Sequence, residues 1–394
     1  MNSHRNQQSE EGYSILEMLI SLVVTVAIMV SILNVLEMTS RSGRVLSQVA
    51  QMHQSMRFGQ LDLIAAARLT GRGGVGRGAV PNGLAVDVRN NVSSGELIAP
   101  GQSDSPEVVE GTDVLTLRGV MTAPLYQVDP TDTNNLKLFG TPPDSGEIKI
   151  NSFAPSGLPM DLEPLEDVAD LPEAILLVNP VGDYAVVELD PSNSSFTKQG
   201  DVITEATLRF KITGGTHTAG YATLNEQGSF PNALRTVAFV SILEEYRYYI
   251  RDDDTPMLSR ARVYPGTDVP YEDDDELLAE DISKAVVDLQ VAYGIDVDRS
   301  GGIAATEWLL DETSDNPADN SWNGVAGARP PLRYLRLTTL ARTESPDPAY
   351  QAPPITAIED REYNEVAAAA STDEQQSRMF RRRVFETTVT LRNL

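Results

Sequence analysis

The sequence contains no cysteine. Disulfide staples, thiolate nucleophiles and cysteine-ligated zinc are therefore excluded. The compartment stays open, since periplasmic and cytosolic chains alike can lack the residue. Histidine is scarce as well: His4, His53 and His217 are the whole supply of imidazole. Positive charge is outnumbered, with 31 lysines and arginines against 57 aspartates and glutamates and a formal net charge of −26. Such a surface repels phosphates, so no nucleic acid is expected as a partner. The motifs G-x-S-x-G, H-E-x-x-H and the Walker loop do not occur, which removes the commonest signatures of hydrolases and nucleotide-binding enzymes. No internal repeat is visible. No catalytic residue is nominated, although so acidic a chain holds many carboxylates.

What the chain does have is one long apolar run. The first 12 residues are polar; Tyr13 to Leu36 is then almost continuously apolar, with Glu17 as its only charge. That length crosses a bilayer, which needs roughly 20 apolar residues. A secretory signal peptide would have a shorter apolar core and a small-residue cleavage site after it. Here the segment instead continues as an amphipathic helix. Val45, Val49, Met52, Met56, Gly59, Leu63 and Ala66 fall on one stripe, spaced by three and four. Arg44, Gln48, Gln51, Gln54 and Arg57 lie off it. The pattern predicts one helix over 13–67, roughly 80 Å long at 1.5 Å per residue. Its first half needs lipid or other helices around it, and its second half needs a globular domain on one face.

The remaining 327 residues or so, 68–394, read as a β-rich head, given a chain of 394 residues of which 41% are hydrophobic. Asp113 to Val120, Ala174 to Asn179, Ala185 to Leu189, Ala206 to Thr213 and Val237 to Arg251 have strand character, separated by Pro, Gly, Asn and Asp. Three late segments alternate cleanly, at Val287 to Ile295, Leu335 to Thr338 and Phe385 to Arg392, and predict an antiparallel sheet with one buried face. The fold class expected is α+β: a long N-terminal helix, membrane-embedded in its first half, on an antiparallel sheet with loop insertions such as Thr343 to Gln376. The run Gly71-Arg72-Gly73-Gly74-Val75-Gly76 matches G-x-G-x-x-G. A dinucleotide site needs that motif between a strand and a helix. Here it follows a helix, so a flexible connector is expected. The acidic runs 252–254 and 272–276 are expected to be solvated loops, Arg381 to Arg383 a charge cluster flanking a strand, and His217 an exposed loop residue.

One loop carries a ligand pattern. Residues Asp296 to Glu307 fit D-x-[DNS]-x-[DNS]-G-x5-E, with apolar Ile303 at the eighth position. Calcium takes about six to eight oxygens at roughly 2.3–2.6 Å. Asp296, Asp298 and Ser300 would give side-chain oxygens at alternate positions, Gly302 its carbonyl, and Glu307 a closing carboxylate. Gly301 permits the sharp turn. Ala304 offers no side-chain oxygen, and Ser300 stands where the strict pattern has Asp or Asn. The competing reading is an acidic turn that closes a strand. Nothing else in the chain requires a cofactor; calcium is the one ion that the spacing suggests.

Glu17 is the second conspicuous residue. A carboxylate in a membrane helix costs about 2.5–3.5 kcal/mol at mid-membrane on insertion scales. The terminal amine of a neighbouring subunit would compensate it; the alternative is a glutamate that snorkels to the interface. The residues Gly12-Tyr13-Ser14-Ile15-Leu16-Glu17 resemble the prepilin signature of type IV pilins and type II secretion pseudopilins. The resemblance implies a leader of residues 1–12, cleavage by prepilin peptidase between Gly12 and Tyr13, N-methylation of Tyr13, and subunit docking through Glu17. Glu10 and Glu11 beside the cut, and Tyr13 in place of the commoner Phe, depart from the usual pattern without breaking it. Basic residues flank both ends of the apolar run, so the N-in orientation also rests on the resemblance. Tyr293-Gly294-Ile295-Asp296 and the stretch Arg383 to Asn393 are similar to PilW-type minor pilins. For a protein of that kind the expectation is a non-enzymatic structural role in priming type IV pilus assembly, near the filament tip. Its partners would be other pilins or minor pilins, and it would be a single-pass protein of the inner membrane with a periplasmic head, extracellular once assembled. A minor pseudopilin of a type II secretion system is the alternative within the class. A membrane-tethered periplasmic enzyme or binding protein is the alternative outside it.

Overall fold

A computed structural model describes residues 15–75, 85–132, 134–225, 235–296, 298, 300, 302–304, 307–309, 332–363, 365 and 376–393. The chain divides into two compact units, Met1–Gln51 and Met52–Leu394. A single helix, Ile15–Leu69, begins in the first and ends in the second.

In the first unit the helix is exposed on every side over 15–44, and over 15–36 it is almost wholly apolar, with Glu17 as the only charge. It is long and apolar enough to cross a membrane. Four of its hydroxyls are satisfied within the helix. Ser21, Thr25, Ser31 and Thr39 donate to the carbonyls of Met18, Ser21, Ala27 and Val35 at 2.7–2.9 Å. Lipid offers a hydroxyl no other partner, so this back-bonding is what lets such residues sit in an apolar segment.

In the second unit the helix is one-sided. Met52, Met56, Gly59, Leu63 and Ala67 are buried, in one cluster with Leu117, Tyr248, Leu258, Leu289 and Leu337 except for the glycine, which has no side chain to contribute. The stripe drifts to Ala67 rather than Ala66 because an α-helix turns once in 3.6 residues. Gly59 sits where the sheet comes closest: a Cβ there would lie 3.0 Å from the Ser283 Cβ. Two polar contacts fix the register, Ser55 Oγ to Ser283 Oγ at 3.0 Å and the Tyr248 hydroxyl donating to Asp62 at 2.7 Å.

The helix ends in glycines with positive φ, Gly71 and Gly73. Far from loose, this turn is tied and packed. The Gly71 N–H donates to the Arg118 carbonyl at 3.0 Å and the Val120 N–H to the Arg72 carbonyl at 3.1 Å. A Cβ at Gly73 would meet Leu176 at 2.5 Å. The flexible connector expected from composition is therefore a fitted corner up to Val75, which is buried.

Two sheets share the helix core. One has five antiparallel strands in the order Val86–Arg89, Val114–Gly119, Glu244–Arg251, Met257–Val263 and Glu280–Ser283. The other has the order Trp308–Leu309, Val286–Ile295, Leu332–Arg342 and Arg382–Thr390, with Val291 opposite Leu337 and Leu337 opposite Thr387. The late alternating segments thus form one antiparallel sheet. It differs from expectation in burial: Asp288, Gln290 and Ala292, on the polar face of Val286–Ile295, are buried too. Arg361, from the long insertion, pairs with Asp288 at 2.9 Å, Tyr363 bonds the same carboxylate, and Gln290 donates to the Gly111 carbonyl at 2.9 Å.

An eight-stranded antiparallel sheet has its own core. Its path runs Tyr126–Gln127, Phe239–Ile242, Ala174–Val178, Tyr184–Leu189, Val202–Lys211, Pro143–Asn151 and Leu136–Gly140, with Ser195–Gln199 also paired to Val202–Lys211. The segment expected as one strand over 237–251 is two. Phe239–Ile242 pairs in this sheet, Glu244–Arg251 pairs in the five-stranded one, and only Leu243 lies between them. His217, expected in an exposed loop, is 6% exposed and stacked on Tyr264 with ring centroids 4.2 Å apart.

Candidate functional site

Two places carry the residues singled out by sequence. At the N-terminal end, Gly12 and Tyr13 lie outside the described residues. Glu17 is exposed in the first turn of the long helix and is the acidic residue of that turn. A carboxylate there faces the positive end of the helix dipole, which offsets part of the cost of its charge.

The second place is the loop Asp296 to Glu307. It closes a hairpin: Gly294 pairs with Trp308 and Tyr293 with Leu309 on its two sides. The strand before it ends in the core at Ile295, so Asp296 enters the loop buried, with 0% of its surface exposed. Asp298 is exposed and Glu307 is 8% exposed. The fold brings these three carboxylates together, with one oxygen from each lying within 4.8 Å of the others. Oxygens bound to one calcium ion can be no further apart than twice the bond length, about 4.6–5.2 Å. The spacing of the three carboxylates fits that span.

Hydrogen bonds hold the loop in this shape. The Ser300 N–H donates to Asp298 Oδ1 at 2.9 Å, and the Ser300 hydroxyl lies 3.4 Å from the Gly302 carbonyl. Glu307 folds back under the loop and accepts from the Ala304 N–H at 2.7 Å and the Asp298 N–H at 3.3 Å. The Ser300 hydroxyl and N–H hold the Asp298 carboxyl below its ordinary range, so it is ionised at neutral pH and available to a cation. Among Asp296, Asp298, Ser300, Gly302 and Glu307, then, the three carboxylates converge and the two remaining oxygens bond near each other.

The spacing missed one participant. Arg333 Nε lies 3.1 Å from Asp296 Oδ2, and a guanidinium there neutralises part of the charge that the loop collects. Arg333 is the second residue of the strand Leu332–Arg342, far along the chain, and no local pattern points to it. Three residues on in the same strand, Arg336 lies over the Trp308 ring at 4.6 Å and pairs with Glu359 at 2.6 Å. The far end of the hairpin is thereby fastened to the neighbouring strand and to the insertion.

Residues 247–393, which hold this loop and the whole four-stranded sheet, match the family model of the type IV pilus-assembly protein W, PilW. None of the curated proteins matches. Among solved structures, a type IV-like pilin from Thermus thermophilus aligns with 58% of this chain and 91% of its own, at 12% identity and a TM-score of 0.21. That likeness is too slight to bear on the fold.

Proposed function

We propose that the chain is a type IV pilin-like protein of the PilW type that acts as a minor pilin, a structural subunit that primes pilus assembly near the filament tip. The observation that carries this reading is the continuous helix Ile15–Leu69, apolar on all sides at its start and seated in the core of a β-rich head at its end. A single element of this kind anchors the chain by one pass in the inner membrane and leaves a bare helical stem for other pilins to pack on. The PilW match favours the pilus over a type II secretion system. Under this reading prepilin peptidase cuts between Gly12 and Tyr13, the Tyr13 amine is methylated, and Glu17 docks on the amine of a neighbouring subunit. The head stands in the periplasm before assembly and outside the cell after it. The role is structural rather than enzymatic.

Mass spectrometry of the N-terminal peptide from native membranes tests the reading. The expected species begins at Tyr13 with a methylated amine. An intact Met1 terminus in cells with active peptidase would overturn it. A bulky residue at Gly12 should block the cut, since the peptidase must reach the backbone there.

We further propose that the Asp296–Glu307 loop takes a calcium ion. The carboxylates of Asp296, Asp298 and Glu307, the Ser300 hydroxyl and the Gly302 carbonyl would be its protein oxygens, with water completing the shell at Ala304. The ion would pin the hairpin that ends the strand Val286–Ile295 and stabilise the head where calcium is plentiful. Magnesium, which demands a tighter octahedron, should substitute poorly.

A further inference from the structure

The eight-stranded sheet has one corner where large apolar side chains stand in water. Phe153, Leu158 and Val202 are 65%, 66% and 64% exposed. They belong to one local structure. The turn from Phe153 to Met160 closes through the Ala154 N–H on the Leu158 carbonyl at 2.8 Å and the Met160 N–H on the Ser152 carbonyl at 2.7 Å. The Ser152 N–H, donating to the Thr204 carbonyl at 2.9 Å, ties that turn to the strand that begins at Val202. Between turn and strand runs a groove of about 510 Å³, with Pro159, Met160 and Val202 among its apolar lining.

The charge around this groove has one sign. Asp161, Glu163, Glu166 and Asp201 line it against a single cation, Lys198. Lys198 is already paired with Glu166, at 2.8 Å. Among the described residues no lysine or arginine pairs with Asp161, Glu163 or Asp201. A solvated acidic face has no use for an exposed phenylalanine, leucine and valine beside it; an apolar patch rimmed by charge marks a surface that meets a partner. The carboxylates select that partner's charge. They repel acidic surfaces, including further copies of a chain with a net charge of −26, and attract a basic segment.

We propose that this groove docks a segment of a partner protein carrying a bulky apolar side chain flanked by lysine or arginine. The apolar side chain enters between Met160 and Val202, and the flanking cations meet Asp161, Glu163 and Asp201. The surface lies outside the stretch that matches PilW, so it provides a contact of this chain's own, independent of the helix and of the minor-pilin reading.

The test uses the full chain in phosphatidylcholine nanodiscs, with empty nanodiscs as the blank. The probe is a fluorescein-labelled octapeptide of two central leucines between six lysines; the same peptide with glutamates for lysines is the control. Fluorescence anisotropy should rise to saturation with the basic peptide and stay flat with the acidic one. The triple variant Asp161→Asn/Glu163→Gln/Asp201→Asn should weaken binding at least tenfold. The double variant Leu158→Ser/Val202→Ser should weaken it comparably at high salt, where charge is screened. Neutralising the exposed acidic hairpin by Asp252→Asn/Asp253→Asn/Asp254→Asn should change the affinity less than twofold. Binding no greater than to empty nanodiscs, wild-type affinity in the triple variant, or an equal loss in the hairpin variant would each overturn the proposal.

Discussion

Glu173 shows how much one side chain can carry in this head. It stands just before the interior strand Ala174–Val178 of the eight-stranded sheet, 1% exposed, and burial, opposed by Tyr271 and Arg262, pushes its carboxyl up to about 7 from 4.5. Glu244 and Glu272 add to the rise. Because the folded state holds this proton more tightly than the unfolded one, stability is greatest at low pH. It falls between about pH 4.5 and 7 and is level above. Glu173→Gln mimics the protonated form and should abolish that fall, gaining up to about 3 kcal/mol over wild type at pH 8. Thermal melts of both proteins from pH 4.5 to 8 check it; parallel curves would refute the assignment. Glu245 is the opposite case. Burial alone would raise its carboxyl, but Arg118 at 2.6 Å and Arg247 at 2.9 Å hold it low. The calcium loop is tested at the same scale. If the ion binds only the folded head, calcium at a hundredfold excess over Kd adds about 2.7 kcal/mol. The melting midpoint in detergent should rise with calcium over chelator, and Asp296→Ala/Glu307→Ala should lose the rise. An unchanged midpoint at millimolar calcium would rule the ion out.

Among the elements, the segment 52–69 of the helix organises the head. It contributes Met52, Met56, Leu63 and Ala67 to the cluster shared by the five- and four-stranded sheets. Leu63 is 1% exposed, so Leu63→Ala should cost about 2–5 kcal/mol through lost burial and the cavity left. Gly59→Leu fails for the opposite reason. The added side chain would have to displace Ser283 and Leu258, already 3.0 and 3.2 Å from its Cβ, and overpacking of this kind costs about 1–3 kcal/mol. Urea titration of the two variants gives both values. Variants within 0.5 kcal/mol of wild type would mean that the helix is not seated as described.

For the whole molecule, Glu17 separates insertion from assembly. Glu17→Ala removes a charge from lipid, so membrane insertion and processing should not suffer. It also removes the proposed partner of a neighbour's amine, so recovery in sheared pili should drop. Immunoblots of membranes and of sheared filaments read the two outcomes separately. Normal recovery in filaments would contradict the docking role while leaving the anchor in place.

The features that sequence alone determined are those whose cause is local. The helix was legible because apolar residues at intervals of three and four describe one face wherever the helix lies. The loop from Asp296 to Glu307 was legible because its donors alternate along a short stretch, and the late strands because apolar residues recur at every second position, at Leu335 and Leu337 in one and at Val389 and Leu391 in another. Tertiary structure decided whatever depends on which distant segment arrives. Val237 to Arg251 reads as one unbroken strand candidate, with no Pro, Gly, Asn or Asp inside it, yet it divides at Leu243 because the strand Ala174–Val178 claims one half and Val114–Gly119 the other. Asp288 and Gln290 alternate like surface residues and are buried because the insertion bearing Arg361 and Tyr363 returns over them. His217 sits in a polar, glycine-rich stretch and is buried because Tyr264 comes to stack on it. Arg333 reaches Asp296 only because two antiparallel strands set them side by side. Periodicity records which side of an element faces inward; it carries no record of what stands opposite, because that is set by contacts between residues far apart in the chain.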